Sequence, residues 1–132
     1  MDKDLLAASL GIVAEKEEGL TPRFYAILFE RYPAVRPMFG PDIRPQADML
    51  KGAVVAVLDH LEDSDWLADT LGALGAKHAS YGATPEMYVA VGECMITAME
   101  ELGAPDWTPE MSAEWTTALG AVSKLMLAGY PA

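Results

Sequence analysis

Cysteine is almost absent: Cys94 is the single example in 132 residues. An intrachain disulfide and any cysteine-built zinc cluster are therefore excluded, and Cys94 reads as a small buried filler. Basic residues are scarce as well, nine against twenty acidic ones, for a net charge of −11 at pH 7. Nucleic acid and anionic membrane surfaces repel such a chain, so neither is expected as a partner. Long apolar runs are missing, because Lys51, Asp59, Lys77, Glu93 and Lys124 interrupt every stretch that approaches a membrane span. The opening Met1-Asp2-Lys3-Asp4 lacks the basic flank of a signal peptide; a reducing cytoplasm is the default expectation, and an acidic exported bacterial protein without cysteines would look similar. No glycine-rich phosphate loop, ordered Ser/His/Asp set, internal repeat or low-complexity segment occurs.

What remains is a chain of single-domain length, 52% hydrophobic, which excludes disorder. It can bury roughly two-thirds of its unfolded surface without covalent staples. Stretches of helical length alternate with short Pro, Gly and Asp punctuation. Leu6, Leu10 and Val13 form a first stripe that stops at Glu18-Gly19. Thr21 is expected as an N-cap with Pro22 at the first helical position. Tyr25, Leu28, Phe29 and Tyr32 then recur at i, i+3, i+4 and i+7. Pro33, Pro37, Pro41 and Pro45 forbid a long helix between 33 and 45, leaving a short helical turn and a loop.

The period resumes over residues 46–61, with Gln46, Leu50, Val54, Val57 and Leu61 on one side. The Val54–Val57 run would also suit a strand, but the stripe length and the lack of any partner strand favour helix. Glu62 to Asp65 form a capping loop before a helix bearing Leu67, Leu71, Leu74 and His78. Gly82 ends it. Thr84-Pro85 starts the next, whose inner face is Tyr88, Gly92, Met95, Met99 and Leu102. Thr108-Pro109 opens the last helix, with Met111, Trp115, Val122 and Met126 inward. The expectation is an all-α domain of six to seven helices.

Chemistry-bearing residues are few. His78 ends an apolar stripe and is either a core histidine bonded to a carbonyl or a metal ligand. Tyr25 and Gln46 are the other polar groups on apolar faces, and either could be merely half-buried or solvated. His60, beside Asp59 and Glu62, reads as a surface residue. The methionines at 87, 95, 99, 111 and 126 read as plastic packing. The acidic runs at 15–18 and 62–65 read as solvated helix ends.

Taken together these residues resemble a globin. The segment from Phe24-Tyr25 through Pro33-Ala34-Val35-Arg36-Pro37-Met38-Phe39 is similar to the second and third helices of the haemoglobin domain of bacterial flavohaemoglobins and their single-domain relatives. Lys77-His78 through Gly82, Thr84-Pro85 and Tyr88 to Gly92 resembles the family's proximal segment. The likeness runs from about residue 5 to about residue 128. It implies a globin fold around a b-type haem, with His78 as the iron ligand. No Cys-x-x-Cys-His occurs, so the haem would be held non-covalently. The resemblance further implies Tyr25, Gln46 and Leu50 on the distal, gas-binding side and Phe39 wedged against the haem. Leu74, Lys77, Met87, Tyr88 and Val91 would complete the haem-binding set, with Lys77 or Arg44 near the propionates.

Two departures stand out. The stretch from Phe39 to Gln46 is shorter than flavohaemoglobins usually have. Where the family backs its histidine with a tyrosine and a glutamate, Tyr88 matches the tyrosine, but Tyr130 stands at the position spaced for the glutamate. The chain also stops before any reductase, so residues 1–132 are expected to form one globin domain. Reversible dioxygen binding is the function the resemblance implies first, for transport, storage or scavenging. Nitric oxide dioxygenation with a separate reductase is the alternative, and a haem-based gas sensor or partner-binding protein a third. Peroxidase chemistry fits less well without the proximal carboxylate. A helical module without haem would leave Tyr25, Phe39, Gln46 and His78 unexplained. Either a monomer or a homodimer is compatible with the sequence.

Overall fold

The computed structural model describes residues 1–14 and 19–131. The expected acidic helix end at 15–18 thus lies outside the described residues. Among the described residues the fold has six α-helices and one 3-10 helix: α1 (Lys3–Ala14), α2 (Leu20–Arg31), the 3-10 helix (Pro33–Met38), α3 (Arg44–Asp59), α4 (Ser64–Ser80), α5 (Pro85–Gly103) and α6 (Pro109–Ala128). No strand occurs among the described residues, and the all-helical expectation holds.

Several boundaries move, each for a local reason. The entry to α2 comes one residue before the expected cap. Gly19 adopts φ +73°, a conformation open to glycine, and the helix begins at Leu20. Thr21 is only 5% exposed and sits inside the first turn, so it does not cap. Pro22 is tolerated there because the first-turn N–H groups lack intrahelical partners anyway. In the same way α3 starts at Arg44, with Pro45 in its first turn. At Asp63 the expected cap forms, its carboxylate accepting the Trp66 N–H at 3.1 Å. Thr108 caps α6 through Met111 N–H, whereas Thr84 makes no such bond and leaves the start of α5 to Pro85.

The core lies where α1, α2, α5 and α6 converge, on Leu6, Val13, Phe24, Leu28, Cys94, Met95, Met99 and Trp115. Cys94 is fully buried, as its reading as filler requires. Polar atoms inside are satisfied: Trp115 Nε1–H donates to Ser9 Oγ at 2.7 Å, and Ser9 passes its own proton to the Leu6 carbonyl at 2.9 Å. The expected faces are rotated in places. Ala47 and Leu58 are the fully buried residues of α3, while Leu50, Val54 and Leu61 of the expected stripe are half-buried and pack against the core; Tyr88, Gly92, Leu102, Met111 and Val122 are half-buried too.

Helix α4 is held differently. Its main neighbour is α6, and the two backbones touch through glycine. A Cβ at Gly75 would overlap the Met126 carbonyl, and one at Gly129 the Gly72 carbonyl. Helix α3, by contrast, lies mainly on α2 and α1. The helix bearing His78 is therefore placed by α6.

Candidate functional site

The first half of the site is an aromatic corner between α2, the 3-10 helix and α3. Tyr25 is 4% exposed. Its ring meets Phe24 at 4.8 Å, Phe39 at 5.5 Å and Phe29 at 5.8 Å between centroids, and Phe29 meets Phe39 edge-on at 5.4 Å. Such edge and tilted contacts are the favoured geometry for aromatic pairs. Burial raises the pKa of the Tyr25 hydroxyl above its ordinary value, and the neighbouring Gln46 side chain partly opposes that. The hydroxyl is thus neutral, and its polar neighbour is the Gln46 amide. Leu50 and Phe39 are half-buried and pack against the core beside it.

Arg36 closes this corner, a role that the motif reading did not assign to it. Its guanidinium lies 4.8 Å from the centre of the Phe29 ring. Nη1 donates to the Gly40 carbonyl at 2.9 Å and to that of Phe39 at 3.3 Å, and Nη2 donates to Pro41 at 3.2 Å. Three carbonyls that no helix could satisfy are gathered by one planar fork of donors. The short loop after Phe39 is thereby fixed. The signal for it was the arginine within the proline block.

The second half is built on α4, α5 and α6. His78 Nδ1 lies 2.8 Å from the Leu74 carbonyl oxygen. A carbonyl only accepts, so Nδ1 carries a proton, and in the neutral imidazole Nε2 is the nitrogen with the lone pair. Just beyond, the helix ends in a Schellman turn. Gly82, at φ +88°, donates its N–H to Ala79 O at 3.0 Å, and Ala83 N–H returns to His78 O at 3.2 Å. The rings of Tyr81 and Tyr88 flank the imidazole at 6.3 and 6.4 Å. Tyr130 Oη lies 2.9 Å from the Ala83 carbonyl oxygen and 3.0 Å from Tyr88 Oη.

The remaining candidates are scattered around these two groups. Leu74 and Met87 are half-buried, Val91 is 37% exposed, and none of the three belongs to the hydrophobic set packed on the core among the described residues. An imidazole that uses only Nδ1 towards the backbone, flanked by aromatic rings, together with apolar side chains left half-open, suits a flat apolar ligand with a metal at its centre. The donor set and the lining fit a haem. Lys77 is exposed on α4. Arg44 forks onto Asp42, with Nε and Nη2 each 2.9 Å from a carboxylate oxygen, and this holds the exposed Asp42 carboxyl down at about 2. His60 departs from the surface reading: it is half-buried, bonded to the Ala56 carbonyl at 2.8 Å and stacked 3.7 Å from Trp66.

Comparison with known proteins agrees with this geometry. The family model for globins matches residues 22–126. A flavohemoprotein from Pseudomonas putida is 28% identical over 127 residues, covering 93% of this chain but 32% of its own length. The chain thus spans about a third of the curated relatives it matches. Among solved structures, a bacterial globin from Campylobacter jejuni superposes with a TM-score of 0.81 at 25% identity, over 96% of this chain and 92% of the other. An engineered carbene transferase from Rhodothermus marinus, assigned as a nitric oxide dioxygenase, gives 0.82 at 25% identity over 96% and 88%. No helix among the described residues is long and apolar enough to cross a membrane.

Proposed function

Since this chain belongs to the globin family, we propose that it holds a b-type haem on His78 and binds dioxygen reversibly beside Tyr25 and Gln46. A haem held there would supply an iron able to bind a diatomic gas. His78 Nε2 provides the imidazole lone pair, and the Leu74 carbonyl orients the ring by holding the Nδ1 proton. Phe39, Leu50, Leu74, Met87, Tyr88 and Val91 give the haem its apolar walls, and exposed Lys77 is the cation for a propionate.

The observation that carries the reading is the pairing of Tyr25 with Gln46 inside an aromatic corner. A buried, neutral phenol and an amide are donors in a low dielectric, where they stabilise charge that builds on a ligand oxygen. Dioxygen on ferrous iron gains such charge, and carbon monoxide gains much less. Tyr25→Phe should therefore speed dioxygen release by about 10- to 100-fold, the equivalent of losing a hydrogen bond to a charged group. Carbon monoxide release should barely change. Equal acceleration of both gases would overturn the distal assignment.

The second reading is nitric oxide dioxygenation, favoured by the likeness to flavohemoproteins and to the Rhodothermus marinus protein. That reaction leaves ferric iron, so it requires an electron donor such as a reductase. Catalytic consumption of nitric oxide with a supplied reductase and NADH separates it from simple gas carriage.

A further inference from the structure

Behind His78 the hydroxyl groups of Tyr88 and Tyr130 form a chain whose direction the structure determines. Tyr130 Oη lies within hydrogen-bond distance of both the Ala83 carbonyl oxygen, at 2.9 Å, and Tyr88 Oη, at 3.0 Å. Each phenol has one proton, and a carbonyl oxygen has none. Tyr130 must therefore donate to Ala83, and Tyr88 must donate to Tyr130. The chain runs from Tyr88 through Tyr130 to the backbone, away from the imidazole, and it contains no carboxylate. Meanwhile the Nδ1 proton of His78 has its own uncharged acceptor in the Leu74 carbonyl. Burial, and then the contact with Tyr130, push the Tyr88 pKa upward.

We propose that Tyr130 is a positioning residue of the proximal side: by accepting a hydrogen bond from Tyr88 and donating its own to the Ala83 carbonyl, it ends the relay on the backbone without a carboxylate and holds the corner that carries His78. The proposal rests on His78 being the iron ligand. Its chemical consequence is a modest electron supply to the metal, since hydrogen bonding of the proximal ligand to an anion is what makes an imidazole strongly donating. That suits holding and releasing a gas better than breaking an O–O bond. The tether on Ala83 has a geometric consequence too. Ala83 is the residue whose N–H closes the turn onto His78 O, so Tyr130 ties the end of α6 to the corner that fixes the histidine.

The test compares Tyr130→Glu with Tyr130→Gln, equal in size and different in charge. In the haem-loaded protein, the glutamate variant should raise the iron–histidine stretching frequency in resonance Raman spectra and lower the ferric/ferrous midpoint potential. The glutamine variant should shift neither in that direction. Identical behaviour of the two would overturn the proposal, because residue 130 would then act through shape alone. In the haem-free protein, Tyr88→Phe and Tyr130→Phe together should lower Tm by less than the sum of the single losses, since they share one hydrogen bond. Strict additivity would overturn the chain. If wild type gives no iron–histidine stretch, the ligation reading falls with the proposal; if the stretch is present but unmoved by the glutamate, the proposal alone falls.

Discussion

The Nδ1 atom of His78 and the carbonyl oxygen of Leu74, one helical turn earlier, are 2.8 Å apart. That bond sets the tautomer: the proton faces the helix backbone and the lone pair faces outward. His78→Ala removes the proposed iron ligand while leaving α4 helical, because alanine is the strongest helix former. Reconstituted wild type should show a stable oxy spectrum after reduction in air, and the alanine variant should lose it. An unchanged spectrum in the variant would mean that His78 is a core histidine.

Arg36 and Phe39 are linked through the loop that Arg36 holds by three carbonyls. Arg36→Ala leaves those carbonyls to water and frees the chain between Phe39 and Gln46. The expected cost is about 1–3 kcal/mol of stability, from the lost charge-assisted bonds and the contact over Phe29. Haem loss to an acceptor globin should accelerate as well, because Phe39 loses its fixed position. A variant with wild-type Tm and haem retention would refute this role.

Gly75 tests the placement of α4. Alanine there would drive its Cβ into the Met126 backbone, and a backbone cannot swing aside as a side chain can. Gly75→Ala should destabilise the protein by about 1–3 kcal/mol or more, although alanine ordinarily favours helix over glycine by about 1 kcal/mol. Gly92→Ala meets nothing within 4 Å and should be neutral or stabilising. Urea melts of the two variants give the comparison, and a stable Gly75→Ala protein would refute the close crossing.

The buried Trp115 N–H donates to Ser9 Oγ at 2.7 Å. Ser9→Ala would leave that donor unsatisfied in the core at a cost of about 1–3 kcal/mol. Chemical denaturation should show an earlier midpoint with an unchanged slope. A midpoint equal to wild type would show that the indole N–H finds another acceptor.

Alkaline pH probes the buried phenols. Tyr25 and Tyr88 both have pKa values raised above the ordinary 10.0, chiefly by burial. Below pH 10 both states keep these protons and the stabilising contribution is complete. Above pH 10 the unfolded chain releases them first, so it binds fewer protons than the native protein, and stability falls as pH rises. Denaturation midpoints measured from pH 9 to 11 should decline, and the decline should be shallower in Tyr88→Phe. An identical slope in that variant would refute the contribution of Tyr88.

Much of this was legible along the chain because helix signals are local. The 3.6-residue period, Asp63, Thr108 and the four prolines between 33 and 45 act within a few residues of themselves. The Pro-x-x-Arg-Pro-x-Phe block and the His78 segment carried the family likeness for the same reason: each is a contiguous stretch. Less legible were Thr21, drawn inside α2 once Gly19 took a positive φ, and the full burial of Ala47 and Leu58 on α3. A stripe gives the period of a helix, but its neighbours decide which edge of the stripe is buried.

By itself, then, the sequence determined helices, their approximate ends and the residues that chemistry would require, because propensity, capping and periodicity depend on nearest neighbours. Only the tertiary structure decided what those residues touch. It brought Gln46 to Tyr25, laid Gly75 on Met126, and carried Tyr130 across 42 positions to Tyr88. Contacts of that kind depend on how whole helices cross and on which donor finds which acceptor.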